Sequence, residues 1–371
     1  MTKKWSSRLT FFAFVVLMVG LGSNDSLRGI FSTIFQEHFS LTTTQLGLIV
    51  TASYIGNLVF LLVGGNLSTR FSKKRVLQVL ILIWMAALAL FAFTSNYTVL
   101  LIGMALALGS STLLNTTMNL ITPLLFATAP GFFVNFLFFT QEIGTSGSQY
   151  ILGSHADGFA FWQHTNLVLL ILGAVAFVLL LFCNVPEEAA APADAPAQKG
   201  GYDWRIIVPY VLVFGFYFIA EHGVMNWMVA YGVDGLGLPQ ASAAKYLSVF
   251  FGGMMIGRLC LSPLVDKLGA LKSLAAFGGV SCVLYLIGSL GGAVTMPVWA
   301  ISGLSFSILY PTLVMSIRLY FPAQQVSGAA GTILSIASLA DILFNVGFGK
   351  LVDMAGYAVS IRGLPLSVLA F

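Results

Sequence analysis

Charged side chains are scarce in this sequence. Only 8% of the 371 residues are Asp, Glu, Lys or Arg, whereas 58% are hydrophobic and the mean hydropathy is +0.93. Soluble domains carry about 25% charged residues, because charge keeps a surface in contact with water. A chain this poor in charge cannot cover a water-facing surface, so we expect a multi-pass membrane protein that contacts the lipid bilayer.

Cysteine and histidine are also few, and both are dispersed. The three cysteines lie in apolar stretches without motif spacing, and the four histidines are scattered. We therefore predict neither a disulfide framework nor a metal site. A phosphate loop and a nucleophile elbow are missing as well. The sequence predicts no enzyme and no cofactor, and the net charge of +4 is too small to indicate a nucleic-acid surface.

Long apolar runs make up most of the chain. A helix needs about 20 apolar residues to cross a bilayer, and the first run is too long for the core of a cleavable signal. A twelfth run, about 357–371, stops at Phe371 in mid-run, so we expect either a shortened last helix or an eleven-helix protein. The other predicted spans are 9–34, 43–64, 76–94, 97–125, 132–153, 161–184, 205–231, 241–262, 271–290, 294–320 and 326–347.

A hydrophilic segment divides these runs. Residues 186–204 are rich in Ala, Pro, Gly and charge, which is typical of a flexible linker. We predict an N-terminal six-helix half over 1–185, a linker over 186–204 and a C-terminal half over 205–371. Most Lys and Arg residues fall in loops on one side, with Lys350 and Arg362 as exceptions. This bias predicts that the N-terminus and the linker are cytoplasmic in the inner cell membrane.

A polar loop occurs twice, at residues 65–74 and again at 262–272. Each copy has a small residue, three spacers, a polar or acidic residue, a basic residue and then more base. Internal duplication in a helical membrane protein indicates transport, because two halves can rock about a site between them. The residues assigned to these conformational hinge loops are Gly65, Arg70, Lys73, Lys74, Arg258, Asp266 and Lys267.

Acidic residues inside the predicted spans are the candidates for proton coupling. A charge at membrane depth costs at least about 2.5 kcal/mol on insertion scales, so each one needs a reason. For Asp25 the alternative is an ion pair with Arg28, three residues along the same helix face. For Glu142 the alternative is helix–helix hydrogen bonding, for Glu221 a solvated outer position, and for Asp341 a cation on a neighbouring helix. The four candidates are Asp25, Glu142, Glu221 and Asp341.

Amides and aromatic rings are the candidates for binding substrate. Amides offer both donors and acceptors, which suits a polyhydroxylated ligand, and rings can stack on the apolar faces of sugars. The alternatives are helix–helix hydrogen bonds for the amides and an interfacial belt for the aromatics. Arg28 is added as a ligand-binding base. The candidates are Asn24, Arg28, Asn115, Asn119, Gln141, Gln149, Tyr217, Asn226, Trp227, Tyr310 and Asn345.

The two-half layout and the duplicated loop resemble the major facilitator superfamily. Its first loop usually reads Gly, three spacers, Asp-Arg, spacer, Gly and two bases. Here Thr69 replaces the Asp and Ser72 the second Gly, whereas the second copy keeps Asp266 and Gly269 but begins with Ser262. The resemblance implies an all-α bundle of twelve transmembrane helices, eleven of them clear here, in two six-helix halves that transport by alternating access.

A closer resemblance is to the fucose-permease branch of sugar:proton symporters. It implies secondary active uptake of a small polar solute, a sugar with a proton, by a monomer that binds only substrate, protons and lipid. The motifs that carry it are Gln45-Leu46-Gly47-Leu48-Ile49 with Tyr54-Ile55-Gly56, Asn115 with Pro123, Gln141 with Gly147, Tyr217-Phe218-Ile219-Ala220-Glu221 with Trp227 and Tyr231, Ala243-Ala244-Lys245-Tyr246-Leu247, Gly257-Arg258 and Tyr310-Pro311-Thr312.

The chain departs from that branch at its two carboxylates. Asp25 lies about one turn before the helix 1 position near Gly29, and Ser111 occupies the helix 4 position. The alternatives are therefore transport of a small organic anion that uses Arg28, or drug efflux. A polytopic enzyme and a channel are the other classes, and the duplicated loop favours neither.

Overall fold

The computed structural model describes residues 3–126, 130–186, 203–321 and 323–371, and only the backbone of 3–5, 63–70, 130–132, 135, 266 and 323–328. Nearly all of the predicted linker, residues 187–202, therefore lies outside the described residues, and the domain limits stay a prediction.

In the described parts of the chain, twelve helices, numbered here α1 to α12, follow the predicted spans closely, and a short helix over Ser32–His38 follows α1. The predicted all-α bundle is thus confirmed. Ten of the helical stretches in the described parts of the chain are long and apolar enough to cross a membrane. The first six are α1 (Lys3–Ile30), α2 (Thr43–Arg70), α3 (Lys73–Phe93), α4 (Tyr97–Leu125), α5 (Pro130–Ile151) and α6 (Phe159–Leu181). The others are α7 (Trp204–Ala230), α8 (Gln240–Leu268), α9 (Ala270–Leu290), α10 (Met296–Ile301, Gly303–Phe306 and Leu309–Ser316), α11 (Ala323–Ala355) and α12 (Tyr357–Ser360 and Leu364–Ala370).

Small residues let the helices approach closely. A Cβ at Gly22 of α1 would lie 2.1 Å from the carbonyl oxygen of Gln141 on α5. A Cβ at Gly29, further along the same helix, would lie 2.1 Å from the carbonyl oxygen of Met225 on α7. Membrane helices associate through this kind of packing, because lipid gives no hydrophobic drive between them. Glycine thus places α1 against helices of both halves.

The two halves are joined at the end where α2 begins, which the charge bias predicts to be the outer side. The Asp353 carboxylate of α11 accepts hydrogen bonds from the backbone N–H groups of Thr43 at 2.8 Å and Thr44 at 2.7 Å. Gln240 of α8 donates to the carbonyl oxygen of Ile30. An acidic side chain at a helix N-terminus also interacts favourably with the helix dipole. These contacts close that side.

A cavity of about 440 Å³ lies between α5, α8 and α10, towards the opposite side. Its wall includes Phe138, Glu142, Arg258 and Pro311. The structure therefore combines a closed predicted outer side with a space between the halves on the predicted inner side, as expected for one state of an alternating-access cycle.

The predicted hinge loops are tight turns. Only Phe71 and Ser72 separate α2 from α3, and the Ser72 hydroxyl accepts a hydrogen bond from the backbone N–H of Arg75. Gly269 alone separates α8 from α9, with φ at +83°, a conformation that favours glycine. Most of the polar residues in each repeat therefore belong to the ends of long helices.

The hinge residues occupy different environments. Lys74 donates to the carbonyl oxygens of Leu181 at 3.0 Å and Cys183 at 2.7 Å, at the end of α6 in its own half. Lys73 is buried and Lys267 is exposed. Arg258 lies within α8 rather than in the turn, because that helix continues to Leu268. Only the backbone of Gly65, Arg70 and Asp266 is described, so the contacts predicted for these three residues lie outside the described part of the structure.

Candidate functional site

A histidine–carboxylate pair connects α7 with α11. The Nδ1 atom of His222 lies 2.8 Å from Oδ2 of Asp341. The Asp341 side chain is only 2% exposed, whereas that of His222 is 21% exposed. The buried acid predicted at Asp341 therefore has a partner on a neighbouring helix, as one of the two interpretations of the sequence required.

An aromatic ring from the other half covers this histidine. Tyr54 of α2 stacks on the His222 imidazole, with ring centroids 5.2 Å apart and an interplanar angle of 26°. The hydroxyl of Tyr54 accepts a hydrogen bond from Nδ2 of Asn226 at 3.3 Å. The guanidinium carbon of Arg28 lies 5.7 Å from the centre of the same ring. Helices α1, α2 and α7 thus meet around Tyr54.

Asp25 and Arg28 are both placed near this point but do not pair with each other. In the described part of the structure, no salt bridge joins Asp25 to Arg28. Oδ2 of Asp25 accepts a hydrogen bond from Ser111 of α4 at 3.1 Å, and Oδ1 is buried without a partner. The Nε atom of Arg28 is likewise buried without a partner among the described residues. Asp25 therefore contacts the residue that stands at the expected helix 4 acid position.

Amide side chains connect α4 with α5. Nδ2 of Asn119 donates to Oδ1 of Asn115 at 2.6 Å, and Nδ2 of Asn115 donates to Oε1 of Gln141 at 2.7 Å. All three residues are half-buried. The interhelical hydrogen bond considered for these amides is present, and their partial exposure leaves them accessible to a ligand.

An ion pair crosses from one half to the other in the cavity wall. Arg258 Nη1 of α8 donates to Oε1 of Glu142 on α5 at 2.6 Å, with 27% of the arginine and 14% of the glutamate side chain exposed. Glu221 of α7 interacts electrostatically with Arg258 and with Tyr310. Tyr217 packs its ring 5.6 Å from that of Tyr310, and its buried hydroxyl has no described partner.

Four other candidates lie within helix–helix contacts. Oδ1 of Asn24 accepts from the indole N–H of Trp84 at 3.1 Å. Trp227 is completely buried and donates to Oδ1 of Asn345 at 2.8 Å. Its ring is therefore not exposed in this structure for the stacking on a sugar that the sequence predicted. Gln149 is also completely buried, with neither amide atom partnered in the described structure.

Several residues of this site were not selected from the sequence. In the sequence, Tyr54 and Ser111 stand out only as positions in motifs, and His222 only as one of the four scattered histidines. A histidine within a predicted span was the available signal, since ionisable residues at membrane depth are costly. Its partner on α11 lies 119 positions away, and no local pattern connects the two.

Sequence comparison identifies the family to which this arrangement belongs. Residues 10–345 match the profile of the Major Facilitator Superfamily. The chain belongs to the major facilitator superfamily. It is therefore a multi-pass membrane transporter rather than an enzyme, and the predicted fold and family are confirmed.

Individual relatives agree with this assignment. The chain is 24% identical to the L-fucose-proton symporter of Escherichia coli over 333 residues, covering 78% of this chain and 75% of the relative. It is 27% identical to the glucose/galactose transporter of Brucella abortus over 344 residues, covering 86% and 81%. The crystal structure of a mutant of the nucleoside transporter NupG superposes with a TM-score of 0.78 at 12% identity, covering 99% of this chain and 97% of the mutant, which shows the shared fold.

Proposed function

We propose that the protein is a symporter that moves a neutral sugar together with a proton. The observation that carries this proposal is the charge balance of the site. Among the described residues of the site, the four carboxylates of Asp25, Glu142, Glu221 and Asp341 outnumber the two guanidinium groups of Arg28 and Arg258. An excess of acid within a membrane is expensive unless protons bind, and protons driven across the membrane can supply that charge.

The proton is assigned to Asp25 and Glu221. Asp25 has a single described hydrogen-bond donor, Ser111, and a second oxygen without a partner. The other two acids each have a nitrogen-bearing partner, and we propose that they take part in coupling through those partners. A protonated Asp25 or Glu221 would cross the occluded state without an uncompensated charge, which lowers the barrier to rocking of the halves.

The sugar is assigned to the amides of α4 and α5 and the aromatic wall of α7 and α10. Asn115, Asn119 and Gln141 form a continuous set of donors and acceptors, which is what a polyhydroxylated ligand requires. Tyr217 and Tyr310 supply rings next to Glu221. The relatives named as fucose and glucose/galactose transporters support the same substrate class.

A small organic anion is the second candidate. The buried Nε of Arg28, which has no described partner, favours it, because a carboxylate could accept a hydrogen bond there. The surrounding acids oppose it, since they would repel the anion unless several of them were protonated. The charge balance therefore supports the sugar in preference to the anion.

Transport by purified variants tests this proposal. In proteoliposomes, Asp25→Asn and Glu221→Gln should each abolish accumulation of sugar driven by an inward proton gradient, while exchange of sugar without a gradient persists. Glu37→Gln is the matched control, because Glu37 is an exposed carboxylate just after α1, in the same half as Asp25. Full gradient-driven accumulation by both site variants would overturn the assignment.

A further inference from the structure

The His222–Asp341 pair joins α7 to α11 and is also contacted from α2 in the other half. Asp341 holds the imidazole from α11, Tyr54 covers it from α2 in the other half, and Phe218 stacks on it from α7 at 5.4 Å and 7°. Asp341 is nearly inaccessible, whereas the imidazole retains an exposed edge. A titratable ring is thus held between the two halves.

The geometry determines which nitrogen can take a proton. Nδ1 of His222 is directed at the Asp341 carboxyl group. An ionised carboxylate can only accept a hydrogen bond, so Nδ1 carries hydrogen and donates when Asp341 is ionised. The remaining nitrogen, Nε2, is then the acceptor in the neutral ring. A proton that adds to Nε2 converts the pair from one buried negative charge into an imidazolium–carboxylate pair with no net charge.

Other charged groups around the ring favour this addition. Glu221 on α7 and Asp25 on α1 both interact electrostatically with His222 and attract positive charge. Arg28 on α1 opposes them. Tyr54 on α2, the remaining titratable group in contact, presents its ring face. Burial of the ring and Arg28 therefore oppose the imidazolium form, whereas Asp341, together with Glu221 and Asp25 while these two are ionised, stabilises it.

We propose that His222 is a proton-binding residue of the transport cycle, and that its imidazolium form holds Tyr54 and so keeps the two halves together on the side where α2 begins. A cation attracts the face of an aromatic ring more strongly than a neutral imidazole does. Tyr54 belongs to the N-terminal half and His222 to the C-terminal half, so this attraction acts across the interface that must part when that side opens. The inference deepens the proposed function, since it names a regulator of the proposed symport.

A distance measurement that needs no substrate tests the inference. Spin labels would be attached at Phe93→Cys, the exposed last residue of α3, and at Val294→Cys, an exposed position just beyond the end of α9 in the other half. Cys183, Cys260 and Cys282 would first be replaced by Ser. At about pH 5.5 the ratio of short to long distances should exceed that at about pH 8.5 by roughly fivefold, within the range of a cation–π contact.

Variants assign this response to the ring pair. His222→Asn keeps a donor for Asp341 but cannot bind a proton, so its distance distribution should not change with pH. His164→Asn, which alters an exposed histidine elsewhere, should respond like the parent protein. The same pH response in His222→Asn as in the parent, or no response in the parent, would overturn the inference.

A second pair of variants remains informative if His222→Asn does not fold. Tyr54→Phe keeps the ring and should retain the pH response, whereas Tyr54→Leu removes the ring and should lose it. Equal responses in both would contradict the role of the ring. If the parent protein accumulates no sugar under a proton gradient, the proposed symport fails, while the distance measurement still decides the role of His222.

Discussion

The ion pair between Glu142 and Arg258 gives the most quantitative prediction of the structure. It joins α5 to α8 across the two halves with a 2.6 Å contact, and its side chains are 14% and 27% exposed. Removing one partner of a fully buried pair costs about 3–5 kcal/mol, because the other charge is left without compensation. Since water reaches this pair, we expect about 2 kcal/mol for Glu142→Gln or for Arg258→Gln.

The double variant separates the charge effect from the loss of a side chain. With both residues changed to Gln, neither member of the pair is left charged without its partner, so most of the stability lost in either single variant should return. The assay is thermal unfolding of the purified protein in detergent, followed by intrinsic tryptophan fluorescence. Glu37→Gln, at an exposed site, should unfold like the parent protein. A double variant that unfolds at a lower temperature than both single variants would refute the reasoning.

Three further predictions concern single contacts. Asp353→Asn weakens the hydrogen bonds to the start of α2, a helix cap worth about 1 kcal/mol. Long distances between spin labels at positions 93 and 294 should therefore become about fivefold more populated. An unchanged distribution would count against the closure described for that side. Trp227→Phe leaves Oδ1 of Asn345 without its donor, so the protein should lose about 1 kcal/mol of stability while the KM for sugar stays constant; a selective rise in KM would place the ring at the substrate. Asn115→Ala breaks the amide chain to Gln141, so KM should rise several-fold with little change in unfolding temperature; an unaltered KM would argue for a purely structural chain.

Hydropathy predicted the helices well because the requirement for an apolar span is local. Each stretch must satisfy its own backbone hydrogen bonds and face lipid or another helix, so the sequence of α4 alone predicts 97–125, the same range that the structure has. The prediction of the hinge loops was less accurate, because composition alone does not distinguish polar residues at the end of a helix from those in a loop. Residues 65–70 are mostly polar or small, yet α2 continues to Arg70.

The site could be predicted by residue type but not by partner. Asp25, Glu142 and Asp341 were selected because buried charge needs a reason, and each has a specific neighbour in the structure: Ser111, Arg258 and His222. These neighbours lie on other helices at separations of 86, 116 and 119 residues. Only the packing of the bundle determines them. Trp227 was selected as a substrate-binding residue but is buried and bonded to Asn345. The sequence alone does not distinguish a tryptophan that binds a ligand from one at the membrane interface or in the core.

The central claim, sugar transport coupled to protons, is tested most directly by uptake into proteoliposomes. A panel of labelled neutral sugars would be offered to the purified protein with and without an inward proton gradient, and the external pH would be recorded at the same time. The account predicts that one sugar accumulates above its external concentration only with the gradient, and that adding this sugar alone makes the external medium more alkaline. Equilibration of a sugar without any pH change, or accumulation of an organic anion in place of every sugar, would contradict the account.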